Sequence, residues 1–183
     1  MSIVAIDFET SGYSPAIACS LGMARIGDDG AVTTWHHLIL PPSGRVCFTY
    51  IHGLTWEMLR DQPLFADLWD EIAAFVAGAG LLVAHNAPFD RGVLEACCAV
   101  AGVPAPGIPF ACTLKGARLL KRRLGLPDCR LDTVCAHFGI PLDHHQALSD
   151  ALGAAGIYRR LRLLGLQDSD MLLCPCSKRG SAV

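Results

Sequence analysis

The sequence predicts an α/β domain with a mixed sheet, and three observations carry that reading. Residues 3–7 and 81–84 are short apolar runs of the length and side-chain type expected of buried strands. Residues 20–26 and 31–40 flank Gly27-Asp28-Asp29-Gly30, a turn-rich tetrapeptide that reads as the bend of a hairpin. Beyond the hairpin, short strands alternate with segments of helical periodicity, the pattern of a sheet covered by helices.

In chain order, the strand at 3–7 comes first, then the hairpin, which Pro41-Pro42-Ser43-Gly44 closes. Thr55 is placed to cap a short helix running to Arg60. Residues 64–77 read as a helix, because Phe65, Leu68, Trp69, Ile72, Phe75 and Val76 recur at three- and four-residue spacings. The strand at 81–84 leads to a helix over 89–101, stopped by Gly102. A strand near 110–112 precedes helices over 114–124, 130–138 (ended by Gly139) and 147–164. Residues 1–166 are thus expected to form the domain, and 167–183, which lose periodicity, a flexible tail.

Composition narrows the function classes. The 183 residues are 52% hydrophobic and 17% charged, which excludes general disorder. No apolar run reaches the roughly 18–20 residues of a membrane span, and the N-terminal run reads as a strand rather than a signal peptide. Nine cysteines, most within apolar segments, fit buried thiols in a reducing cytoplasm. Cys174-Pro-Cys176 has no second pair at zinc spacing. A net charge of −2 argues against broad, non-specific duplex binding. Basic residues are nevertheless bunched at Lys115, Arg118, Lys121, Arg122 and Arg123, and again at Arg159, Arg160 and Arg162. They read equally well as a solvated helix face or as phosphate contacts.

The chemistry lies in acids. Asp7 and Glu9 are two apart on the first strand and its exit, so their side chains share one face. Paired carboxylates repel unless a cation neutralises them, and a hard divalent ion with oxygen ligands does so. Asp90 follows a buried strand within His85-Asn86-Ala87-Pro88-Phe89-Asp90, where an acid also serves as a helix cap. His145 precedes the last helix and Asp150 lies in its first turns, so both are candidates to face one pocket.

Taken together, these segments resemble the DEDDh exonuclease family, which includes the polymerase III epsilon proofreading subunit, RNase T and oligoribonuclease. Asp7-Phe8-Glu9-Thr10-Ser11-Gly12 looks like its first motif. His85-Asn86-Ala87-Pro88-Phe89-Asp90 looks like the second, and His145-Gln146-Ala147-Leu148-Ser149-Asp150 like the third. Ile51-His52-Gly53-Leu54-Thr55 and Leu131-Asp132-Thr133-Val134 resemble auxiliary family segments. The likeness runs over residues 3–164. The family histidine stands five residues before the last acid, which is His145 and not His144. The tyrosine branch uses the position four before, here Gln146.

The resemblance implies an RNase H-like fold with a five-stranded mixed sheet flanked by helices. It implies two Mg²⁺ or Mn²⁺ ions held by Asp7, Glu9, Asp90 and Asp150, with His145 as general base. It also implies 3′–5′ hydrolysis releasing nucleoside 5′-monophosphates. Thr10, Ser11 and Gly12 are placed by analogy at the terminal 3′-hydroxyl. Tyr13, Ile51, His52, Asn86 and Phe89 are placed around the last nucleotide, with Tyr13 standing where the family often has Leu or Met. The expected partner is a single-stranded or frayed DNA 3′ end, in proofreading or repair, with RNA as the alternative and a non-catalytic end-binding module as a distant one. A replicative polymerase, a sliding clamp and a second copy of the chain are further partners the family leaves open. A clamp-binding peptide in 167–173 fits poorly in spacing and charge.

Overall fold

The computed structural model describes residues 2–174. Its sheet has five strands: β1 (Ile3–Thr10), β2 (Ala18–Ile26), β3 (Val32–Leu38), β4 (Leu81–Ala84) and β5 (Phe110–Cys112). Their order is β3-β2-β1-β4-β5. The hairpin makes β2 and β3 antiparallel, β2 pairs antiparallel with β1, and β4 and β5 run parallel to β1. The sheet is therefore mixed, as expected. The tetrapeptide turns as predicted, with Gly30 at φ +83 and the Gly27 N–H bonded to Ala31 O at 2.9 Å.

Strand alternation assigns each side chain of β1 to a layer. Val4, Ile6 and Phe8 face one core with Ile72 and Val76 of α3 (Trp69–Val76) and Val93, Leu94 and Cys97 of α4 (Ala87–Ala101). Ile3 and Ala5 face the other core. There they meet Ala117 of α5 (Thr113–Leu124), Val134 of α6 (Leu131–Phe138) and Ile157 and Leu161 of α7 (Ala147–Leu163). Asp7 and Glu9 continue this second face, where β1 runs out from under its apolar cover.

The small helices α1 (Thr49–His52) and α2 (Trp56–Leu59) lie between the hairpin and α3. Thr55 occupies the N-cap position of α2 but makes no side-chain capping bond. The helix expected over 64–77 is regular only from Trp69. Asp67 Oδ2 accepts the Leu64 N–H at 2.9 Å, and the Leu68 and Trp69 N–H groups bond to the carbonyls of Phe65 and Ala66. These tight three-residue bonds replace the first α-helical turns, and Asp67 caps the free Leu64 N–H ahead of them.

The tail reading needs correction for residues 167–174. Asp168–Met171 forms α8, and Met171 is fully buried against Gly116 and the second core. Leu172 bridges Ala111 antiparallel, and the Leu173 N–H donates to Phe110 O at 2.8 Å. The apolar side chains of 171–173 found a partner in β5 that local periodicity does not reveal. Residues 175–183, with Cys176, lie outside the described residues. Cys19, Cys97, Cys98, Cys112, Cys129 and Cys135 are buried free thiols. Among the described residues no helix is long and apolar enough to cross a membrane.

One contact decides where α7 begins. Gly22, in the middle of β2, pairs with Asp7 across the sheet. A Cβ on Gly22 would lie 2.3 Å from the Ala147 carbonyl carbon and the Leu148 nitrogen. Only glycine lets the first turn of α7 rest directly on the sheet there, so that Asp150 comes down beside Asp7 and Glu9.

Candidate active site

Asp7, Glu9 and Asp150 offer carboxylate oxygens that all lie within 4.8 Å of one another. Asp90, in the first turn of α4, approaches the same strand, and its Oδ1 accepts the Phe8 N–H at 3.1 Å. It is 1% exposed and stands outside the 4.8 Å group. That bond locks Asp90 to the backbone between Asp7 and Glu9, a tie rather than the helix cap its position permits.

Crowding shows in the electrostatics. Burial, then the charges of Asp90, Asp150 and Glu9, pushes the Asp7 carboxyl well above its ordinary range. Burial and Asp150 raise Glu9 to about 7. Burial, reinforced by Glu9 and Asp150 against two backbone hydrogen bonds, raises Asp90 to about 8. Burial also raises Asp150, against the neighbouring histidines. Four acids converging with no Lys or Arg paired to them among the described residues are a poor structural device. As an all-oxygen donor set they fit a hard divalent cation.

The histidines divide in a way the sequence did not reveal. His144, not His145, turns its ring onto Asp150, with Nδ1 at 3.0 and 3.2 Å from the two carboxylate oxygens. His145 meets Asp150 through its backbone N–H at 3.2 Å. It does so from a left-handed conformation, φ +67, which a non-glycine residue keeps only where its surroundings enforce it. The two rings stack with centroids 3.9 Å apart. Burial and His144 lower the pKa of His145, which favours its neutral form.

The carboxylates separate two depressions. Asp7, Asp150 and His144 line the larger, about 690 Å³, with Asn86, Arg118, Lys121 and Arg130. Glu9, His52 and His145 line the smaller, about 320 Å³, with Ser20, His36 and Met58. A separate apolar pocket of about 210 Å³ at Ile39, Leu64 and Val100 contains none of the acids.

The expected end-contacting residues lie at the end of β1 and beside it. The Ser11 N–H bonds to Ile17 O at 2.9 Å, and Ser11 O accepts the Cys47 N–H at 2.7 Å. These bonds close a tight loop in which a Cβ on Gly12 would stand 2.9 Å from the Ile17 side chain. His52 Nδ1 accepts the Leu54 N–H at 3.1 Å, so its proton resides on Nε2, which donates to Thr10 O at 3.3 Å. His52 therefore braces the strand exit from beneath, and its ring is buried. Tyr13 is 90% exposed, packed edge-on against Phe48. Ile51 and Phe89 are also exposed. Asn86, at φ +77, turns the chain from β4 into α4. His85 is spent on structure: its rings atoms bond Thr113 Oγ1 and Cys129 O, each at 2.9 Å.

Residues 4–158 match the exonuclease family typified by RNase T. The chain belongs to the RNase T exonuclease family. Membership sets its enzyme class, an exonuclease. A PolC-type DNA polymerase III from Halalkalibacterium halodurans is 33% identical over 152 residues, 81% of this chain and 10% of that one. The DNA polymerase III epsilon subunit of Salmonella typhimurium is 33% identical over 124 residues, 65% of this exonuclease and 49% of the subunit. The chain thus spans half or less of these relatives. Exonuclease X, solved in complex with 5′ overhanging duplex DNA, superposes with a TM-score of 0.70 at 23% identity, covering 92% of this chain and 96% of that one. At that identity the likeness is one of fold, and the fold is RNase H-like.

His144 is the residue of this exonuclease site that motif reading passes over, although the doubled histidine marks it. Replacing His144 by Ala removes the ring bond that orients the Asp150 carboxylate and leaves only the His145 N–H on it. We expect the Mg²⁺ concentration for half-maximal activity to rise about 10-fold, in the range of lost ligand-orienting bonds. The maximal rate at saturating metal is expected to change far less, and a metal titration of initial rates measures both.

Proposed function

We propose that this exonuclease hydrolyses the terminal phosphodiester at DNA 3′ ends, in a metal-dependent reaction of proofreading or repair type that releases nucleoside 5′-monophosphates. The observation that carries the proposal is the convergence of Asp7, Glu9 and Asp150 within 4.8 Å, beside a buried Asp90. All four would hold two divalent ions, Mg²⁺ or Mn²⁺. When bound, such ions supply Lewis-acid polarisation of the phosphodiester and of the attacking water.

The chain's own residues supply the rest. His145, on the rim of the smaller depression with Glu9, takes the proton of the attacking water, and its lowered pKa keeps a lone pair free at neutral pH. The loop at Ser11–Gly12 presents backbone close to the strand exit, where the 3′-hydroxyl is held. Tyr13, Ile51 and Phe89, exposed aromatic and aliphatic side chains, pack on the last base. DNA is favoured over RNA by the DNA polymerase III relatives, which also make a replicative polymerase the proposed partner.

Side-by-side digestion of 3′-labelled single-stranded DNA, duplex DNA and short RNA tests the reading. We expect 5′-mononucleotides with Mg²⁺ or Mn²⁺ and none in EDTA. No release from any substrate with either metal would sink the proposal, and faster release from RNA would transfer it to RNA ends. His145→Ala is expected to slow release by about 10²–10⁴-fold, the usual share of a general base, while metal binding by calorimetry stays close to wild type.

A further inference from the structure

Three of the eight cations bunched along α5 and α7 are tied down inside the fold. Lys115 Nζ donates to Leu172 O at 3.1 Å, and Arg123 to Leu164 O at 3.4 Å. Arg162 pairs with Asp168 at 3.4 Å and donates to Leu166 O at 2.9 Å. Arg118 and Lys121 differ. Among the described residues neither forms a hydrogen bond or an ion pair, and both line the larger depression beside Asp7 and Asp150. Leu114, Arg118 and Lys121 follow one another at four- and three-residue steps, so they form a single stripe of α5 facing that space. Arg130, at the N-cap of α6, lines the same depression, and its guanidinium reaches only an exposed Asp132 at 3.5 Å. One acid, Asp128, stands among them, its carboxylate accepting the Arg130 N–H at 2.9 Å.

These placements resolve the two readings of the basic cluster. In a chain of net charge −2, Arg118, Lys121 and Arg130 stand where a cleft opens onto the acid cluster. Among the described residues Arg118 and Lys121 enter no hydrogen bond or ion pair, Arg130 pairs with an exposed Asp132, and all three line one depression. They belong to two elements, α5 and the start of α6, and both elements border one slot.

We infer that Arg118, Lys121 and Arg130 form a track for the phosphodiester backbone of a single strand, upstream of the bond that is cut. The inference rests on the nuclease reading of the carboxylate site. From Arg118 to Lys121 the helix rises about 4.5 Å, more than the ~3.4 Å step between successive nucleotides of one strand, and Arg130 extends the track onto a second element. The track therefore acts on substrates that extend past the reacting nucleotide and is indifferent to those that do not.

The experiment compares wild type with the double variant Arg118→Gln/Lys121→Gln and with Arg122→Gln, a charge lost from the same helix outside the depression. Two substrates are used: the p-nitrophenyl ester of thymidine 5′-monophosphate, which has no upstream phosphate, and a single-stranded hexanucleotide. For the double variant we expect the hexanucleotide KM to rise about tenfold at low salt with kcat nearly unchanged. The slope of log binding constant against log salt, from anisotropy of the labelled hexanucleotide in EDTA, is expected to shrink by about 1.4, two contacts at ~0.7 each. Turnover of the ester is expected to match wild type, and Arg122→Gln to match wild type throughout.

Wild-type KM and salt slope in the double variant overturn the track. So does an equal loss in Arg122→Gln, which would make the effect one of overall charge. Loss of ester turnover in the double variant also counts against it, assigning the two residues to the carboxylate site itself. Wild-type protein inert toward both substrates would instead overturn the nuclease reading, and the salt slopes would still decide whether the track binds a strand.

Discussion

Asp7→Asn is expected to abolish nucleotide release and, without divalent ions, to make the protein more resistant to heat. Asp7 stands at the centre of the acid cluster, with Asp90, Asp150 and Glu9 all raising its pKa after burial. Removing a central ligand costs several kcal/mol of transition-state stabilisation, about 10³-fold or more in rate. The same substitution removes one member of a set of like charges held together by the fold. Relief of about 1–2 kcal/mol corresponds to a rise in Tm of about 2–8 °C for a chain of this size. Differential scanning calorimetry in EDTA measures it. A variant both inactive and less stable than wild type would contradict the picture of a cluster that functions at the expense of the fold.

The pH dependence carries the same signature. In the metal-free protein Glu9 titrates at about 7 and Asp90 at about 8, both above the ordinary carboxylate range. A raised carboxyl pKa means that the folded state holds more protons than the unfolded chain through that interval. The contribution of these groups is complete below the unfolded values near 4 and is lost as pH rises through 7 and 8. The Tm of the metal-free wild type should fall from pH 5 to pH 8, less steeply in Asp7→Asn. Mg²⁺ should restore it at the alkaline end, because binding favours the deprotonated ligands.

Gly22→Ala is expected to have the second large effect, although Gly22 carries no functional group. Its added Cβ meets backbone atoms of Ala147 and Leu148 at 2.3 Å, which no side-chain rotation relieves. Either the first turn of α7 lifts off β2 or the strand yields. Overpacking of this kind costs about 1–3 kcal/mol, a loss of about 2–12 °C in Tm. Asp150 moves with the helix, and a displacement of ~1 Å at a reacting group is worth about 10²-fold in rate. Thermal melts and initial rates measured together test the pairing. A variant that melts lower but keeps wild-type kcat would mean that Asp150 does not depend on this contact.

Gly22 also shows where sequence reading stops. Asp7 and Glu9 are legible because strand alternation is local: two residues apart must share a face. Asp90 and Asp150 are legible through the segments around them and through membership of a family. The reason for glycine at position 22 lies in a helix 125 residues later in the chain, and no local pattern announces it. His144 and His145 are equally visible as letters, but which ring meets Asp150 depends on the left-handed turn at His145. The helix expected from residue 64 misled for the converse reason. Its apolar spacing is real, yet residues 64–69 close through three-residue bonds, and the α-helix is regular only from Trp69. The basic residues of α5 needed the fold to be sorted, since Arg118 and Arg123 look alike until one lines a cleft and the other bonds Leu164.

The short antiparallel contact of Leu172 and Leu173 with β5 has a consequence for solubility. β5 ends the sheet, and a bare outer strand offers its unpaired N–H and C=O groups to any other extended chain. Here Phe110 O is already taken by the Leu173 N–H, and Leu172 bridges Ala111. A chain cut after Leu166 would keep every acid of the site while exposing that strand and the socket of Met171. Sedimentation of such a shortened protein should show self-association that the longer chain resists.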